Sequence, residues 1–140
     1  MSLEADAQEF NWLLNNFVTS TSGVSDAVAV SSDGLLMARS STLDDAGADQ
    51  LSAIISGFVS LGDGTTRCFE FEELYQIIVA MKGGNLIVTS MGQAGCLGVV
   101  AEPRSEIGHI SFQMTLLVER VGRMLTPQLI VELKNLVMVR

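Results

Sequence analysis

The dipeptide Asp33-Gly34 stands between two apolar runs, Ala27-Val28-Ala29-Val30 and Leu35-Leu36-Met37-Ala38, and constrains the fold more than any other feature of the chain. Asp-Gly between such runs is the strongest short-range hairpin signal, because both turn residues tolerate positive φ. The two runs are therefore expected as antiparallel neighbours. Neither run alternates between apolar and polar residues. A strand with one wet face would alternate, so this sheet is expected to be covered on both sides.

Helical spacing surrounds the hairpin. Leu3, Ala7, Phe10, Leu14 and Phe17, with Leu13 and Val18 beside them, recur at steps of three and four, and Gly23 ends that helix. A second helix is expected to begin near Asp44-Asp45, whose carboxylates suit a positive helix end. Leu51, Ile54, Ile55 and Phe58 mark its buried face, and the phase continues through Gly62, Thr65 and Phe69. The helix is therefore expected to run through Gly62-Asp63-Gly64, although each glycine costs roughly 1 kcal/mol. The competing reading breaks it there and sets a short strand over 67–72.

Three strands follow, over 75–82, 86–91 and 96–101. Gly83-Gly84-Asn85 and residues 92–95 join them so tightly that they must be antiparallel neighbours. Pro103 is expected at the first position of a third helix, which carries Ile107, Ile110, Met114, Leu117, Val118, Val121 and Leu125. Thr126-Pro127 starts a last amphipathic helix through Leu129, Ile130, Leu133, Leu136 and Val137. The order α-ββ-α-βββ-α, plus this short C-terminal helix, gives an α+β fold with a five-stranded antiparallel sheet and helices on both faces. The 140 residues suit one domain. Residues 1–125 form its body, and 126–140 are expected as an amphipathic extension of it.

Catalytic groups are scarce. His109 is the single histidine, and nothing in the sequence aims a nucleophile at it. One His and the distant Cys68 and Cys96 give poor metal-ligand spacing. Gly62-Asp63-Gly64-Thr65-Thr66-Arg67 lacks the third glycine of a dinucleotide fingerprint and follows a helix, where the fingerprint follows a strand. Glu70, Glu72 and Glu73 read as solvated charge. No enzyme activity, metal or cofactor is expected. A net charge of -8 disfavours nucleic acid and anionic membranes as partners. The first six residues carry Glu4 and Asp6 without a basic segment, which does not suit a signal peptide. No apolar run approaches the roughly 20 residues of a membrane span. With two thiols expected reduced, the chain reads as cytoplasmic.

The outer face of the second helix carries the functional hint. Asp49, Ser52, Ala53, Ser56, Gly57, Ser60, Asp63, Gly64 and Arg67 fall opposite Leu51 and Phe58, and most are small. A plain solvent face would favour Lys, Glu, Gln and Arg. Short side chains let another backbone approach, so two copies are expected to pack helix on helix across a two-fold axis. The alternative is a serine-rich solvent surface. Apolar residues at 48% against 17% charged are many for a lone monomer, which fits a covered face. Trp12 lies off the first helix's stripe, either packed by the terminal helix or reserved for a partner.

Residues 24–38 with the Asp33-Gly34 hairpin and Ala48-Asp49-Gln50-Leu51 resemble the roadblock family, the dynein light chain roadblock type. So do residues 79–89, 95–101 and 114–122, and the likeness extends over nearly the whole chain. It is strongest to bacterial, including actinobacterial, members found beside Ras-like GTPases. The resemblance implies a roadblock/profilin-like fold and a homodimer sharing one sheet through helix two and the strand over 75–82. That adds Ile78 and Ala80 to the dimer and partner surface. It further implies a platform for a Ras-like small GTPase, whose nucleotide cycle the dimer modulates without an enzyme site of its own. A ββ-α-βββ core also fits small-molecule sensors of PAS or GAF type, which need a pocket between sheet and helix. The short connections here are expected to leave little room for one.

Overall fold

The computed structural model describes residues 2–139. Met1 and Arg140, the outermost positions of the expected body and extension, lie outside them. The elements are α1 (Leu3–Ser20), β1 (Val24–Ser31), β2 (Leu36–Arg39), α2 (Asp45–Phe69), β3 (Gln76–Met81), β4 (Gly84–Ser90), β5 (Gly95–Ala101), α3 (Ile107–Gly122) and α4 (Pro127–Met138), with a single 3-10 turn at Gly92–Ala94. The strands form one antiparallel sheet in the order β2-β1-β5-β4-β3. This is the α+β architecture expected from the sequence.

The doubly apolar hairpin serves two cores. Ala27 and Ala29 of β1 join Phe10, Leu14, Ile110, Met114 and Leu129 under α1, α3 and α4. Val28 and Val30 turn the other way and join Ala48 and Ile55 of α2. Each successive side chain meets a different apolar layer, which removes the need for polar alternation. The turn itself is wider than a two-residue hairpin. Ser31 N–H donates to Leu35 O at 2.8 Å, and Gly34 N–H donates back to Ser31 O at 2.9 Å. Gly34 alone takes positive φ, at 84°. Asp33 instead accepts a hydrogen bond from the Ser31 hydroxyl.

Helix α2 lies close on the sheet because β5 offers it a glycine. A Cβ on Gly98 would overlap Ile55 Cδ1. Asp44 caps the helix, its Oδ1 accepting from Gly47 N–H at 2.7 Å. The helix runs unbroken through Gly62 and Gly64 to Phe69, so the competing strand does not form. Glu70, at φ 57°, closes it with an N–H bond to Thr66 O.

Two expectations at helix starts divide. Thr126 caps α4 as expected, accepting from Leu129 N–H at 3.1 Å. Pro103 does not open α3. The Ser105 N–H and hydroxyl both donate to Glu102 O, at 3.1 and 2.6 Å, and fold residues 102–105 into a turn. The helix therefore begins at Ile107.

Helix α4 buries Leu129 and Leu133 in the first core, while Val137 packs against the second. It thus passes from one layer to the other beside β2. At the opposite edge, β3 pairs only with β4 among the described residues.

Candidate functional site

The surface of α2 divides along its length. Ala48, Ser52 and Ile55 face the sheet. Asp49, Ala53, Gly57, Ser60, Asp63 and Arg67 are exposed, and Ser56 and Gly64 are half-buried. Ser52 is a correction to the outward set, since only 4% of it is accessible. Its cause is the chain's own hairpin. The Ser52 hydroxyl reaches Gly34 O at 3.5 Å, and a Cβ on Gly34 would stand 3.2 Å from Ser56 Oγ. Ser52 and Ser56 are small because the β1–β2 turn rests against them.

The rest of the ridge has no such tenant. A Cβ on Gly57 would meet nothing within 4 Å, and one on Gly64 only Arg67 Nη2 at 3.8 Å. Apolar residues that the sequence pattern did not assign to this face stand beside these glycines. Ile54, expected in the core, is 45% exposed, and Leu61 is 73% exposed. Thr65 and Phe69, also in the expected buried phase, are exposed as well. Ile54, Gly57, Leu61, Gly64 and Cys68 recur at alternating steps of three and four, which makes a seam of large side chains separated by gaps. The signal was the Ile54–Leu61 spacing of seven, hidden because Ile54 adjoins the truly buried Ile55. Phe69 and Phe71 stack at 5.8 Å just beyond, both exposed, as is Tyr75.

Ile78 and Ala80 do not share this face. Ile77 and Val79 point to the α2 core, so Ile78 and Ala80, one residue out of step, project from the opposite side of the sheet. There Gln76 donates its amide to Ser111 of α3. Only the β3 backbone edge is common to both surfaces. Trp12 is 59% exposed although α4 packs against α1, so the terminal helix does not cover it.

Other reactive groups are dispersed. His109, Cys68, Glu70, Glu72 and Glu73 are exposed. Burial pushes the Cys96 thiol up to about 11. Among the described residues, no three His, Cys, Asp or Glu come together as metal ligands, and no helix is long and apolar enough to cross a membrane.

A cleft of about 480 Å³ opens between α2, the β1–β2 turn, the start of β3 and the ends of β4 and β5. Its presence corrects the expectation of little room. Its floor is apolar, with Val30, Val59, Ile77 and Val88; Asp33, Ser60, Asp63 and Tyr75 stand among its polar lining.

The model of the Roadblock/LC7 domain family matches residues 10–101, from α1 to the end of β5. A Roadblock/LC7 domain from Streptomyces avermitilis is similar to the chain, with 29% identity and a TM-score of 0.77 over 81% of this chain and 95% of that one. MglB of Myxococcus xanthus shares the fold at 14% identity and a TM-score of 0.77, over 84% and 88% of the two chains. The gliding protein MglB of Thermus thermophilus does so at 14% identity and a TM-score of 0.72, over 88% and 90%. No curated protein matches the chain. A PAS or GAF sensor gains no support from these comparisons.

Proposed function

Since the chain belongs to the Roadblock/LC7 domain family, we propose that it is a non-enzymatic homodimer that binds a Ras-like small GTPase and modulates its nucleotide cycle. One observation carries the dimer: the open seam of Ile54, Gly57, Leu61 and Gly64 on α2. Leaving Leu61 and Ile54 in water forgoes roughly 25 cal/mol for each Å² that a partner would cover. An antiparallel pair of α2 helices about a two-fold axis near Leu61 sets Gly57 of one copy beside Gly64 of the other, with each Leu61 against its counterpart. The β3 edge, which among the described residues pairs only with β4, would continue the sheet from one copy into the next.

This arrangement uses the apolar flank of α2 for self-association. It leaves Asp49, Ser60, Asp63 and Arg67 as a polar platform for the GTPase. Trp12, exposed on α1, is a second candidate contact. We assign the protein no catalytic group of its own, so its effect on a GTPase would come from contact with the mobile nucleotide-dependent surface. We also infer a cytosolic protein, consistent with the free Cys68 and Cys96.

The test is direct binding. The purified protein is mixed with Ras-like small GTPases of the same genome, each loaded with GDP or with a non-hydrolysable GTP analogue. A complex whose affinity differs between the two forms is expected. Absence of binding to both would overturn the GTPase assignment and leave the dimer standing.

A further inference from the structure

The cleft beside α2 has the size and lining of a ligand site, and its lining shares Ser60 and Asp63 with the platform proposed above. Pockets of 300 to 1,000 Å³ are the usual range for small molecules, and this one encloses about 480 Å³. Val30, Val59, Ile77 and Val88 give it an apolar floor from three strands and a helix. These side chains belong to or pack against the rigid α2-side core, so the floor is preformed.

The charge of the lining is one-sided. Asp33 and Asp63 both border the cleft, and no described lining residue is Lys, Arg or His. Asp33 is already engaged, because Lys134 Nζ approaches its Oδ2 at 3.2 Å from outside the lining. Among the described residues, no ion pair engages the Asp63 carboxylate. Ser60, one helical turn before it, and Tyr75 also line the cleft. Phosphates and carboxylates are repelled here by the Asp63 carboxylate and by a net charge of -8. A cation is attracted by both, and an apolar body behind it finds the valine and isoleucine floor.

We infer that the cleft binds a small organic cation, a primary amine or guanidine carried on a short apolar body, with Asp63 holding the charged end. Tryptamine and benzylguanidine serve as probes, and indole-3-acetate as a probe of similar shape and opposite charge. The intact protein is titrated with each by calorimetry and by amide chemical-shift mapping. At least one cationic probe should bind with Kd at or below about 1 mM, shift amides of residues 30–34, 56–63 and 75–77, and weaken as salt rises. Asp63→Asn, at an exposed position that leaves circular dichroism unchanged, should weaken it at least about fivefold, a loss of one charge-assisted contact. Silence of both cations to about 10 mM, equal binding of indole-3-acetate, or full binding by Asp63→Asn would each overturn the assignment.

Discussion

Lys134 Nζ lies 3.2 Å from Asp33 Oδ2, joining the last helix to the first hairpin turn across 101 positions of chain. The pair fastens the end of α4 where Val137 crosses to the α2-side core. The Ser31 hydroxyl, then Lys134, hold the Asp33 carboxyl below its ordinary value of 3.8.

That shift fixes a sign. A carboxylate with a depressed folded pKa contributes stability above its unfolded value and loses it as pH falls through the folded one. The protection of amides 134–138, relative to their intrinsic exchange, should therefore fall below about pH 4, before global unfolding. Asp33→Asn should cost no more than about 1 kcal/mol, since the pair is solvent-screened. It should abolish the acid-specific loosening, which hydrogen exchange measured against pH will show.

Gly98→Ala tests the seating of α2. The new Cβ would overlap Ile55 Cδ1, so the helix must lift or Ile55 must change rotamer, at about 1 to 3 kcal/mol. Urea unfolding should show a lower midpoint. Ile55→Val in the same background should recover part of the loss, because it removes the clashing methyl.

Cys96 gives an alkaline prediction. Its ordinary value is 9.0 and burial raises it to about 11. The unfolded chain therefore releases the thiol proton first, and stability should fall by up to about 1.4 kcal/mol per pH unit between pH 9 and about 11. Below pH 9 this term is constant. Cys96→Ala should flatten that segment of a chemical-denaturation profile.

The fold was legible wherever one pattern had one cause. The Phe10-Leu14-Phe17 stripe, the Asp44 and Thr126 caps and the apolar strands each record a local rule that the tertiary structure obeys. It was less legible where two causes write the same letters. Small residues on α2 mean contact with the chain's own turn at Ser52 and Ser56, and open space at Gly57. Sequence spacing cannot separate them, because Gly34 approaches from 18 positions away. Ile54 and Ile55 are adjacent and equally apolar, yet one is exposed and the other fully buried. The cleft was invisible for a related reason: its lining comes from segments between 30 and 96 that share no motif. Pro103 misled because a turn also accepts its fixed φ.

The sharpest test is the sedimentation-equilibrium mass of the wild-type chain and of Gly57→Arg. A Cβ at Gly57 would meet nothing within 4 Å in its own protomer, so the variant should keep its secondary structure while blocking a partner helix. The wild type should sediment at twice the chain mass of 15.0 kDa, and Gly57→Arg at the single-chain mass. A wild type that sediments as one chain, or a variant that remains paired, would contradict the α2 seam.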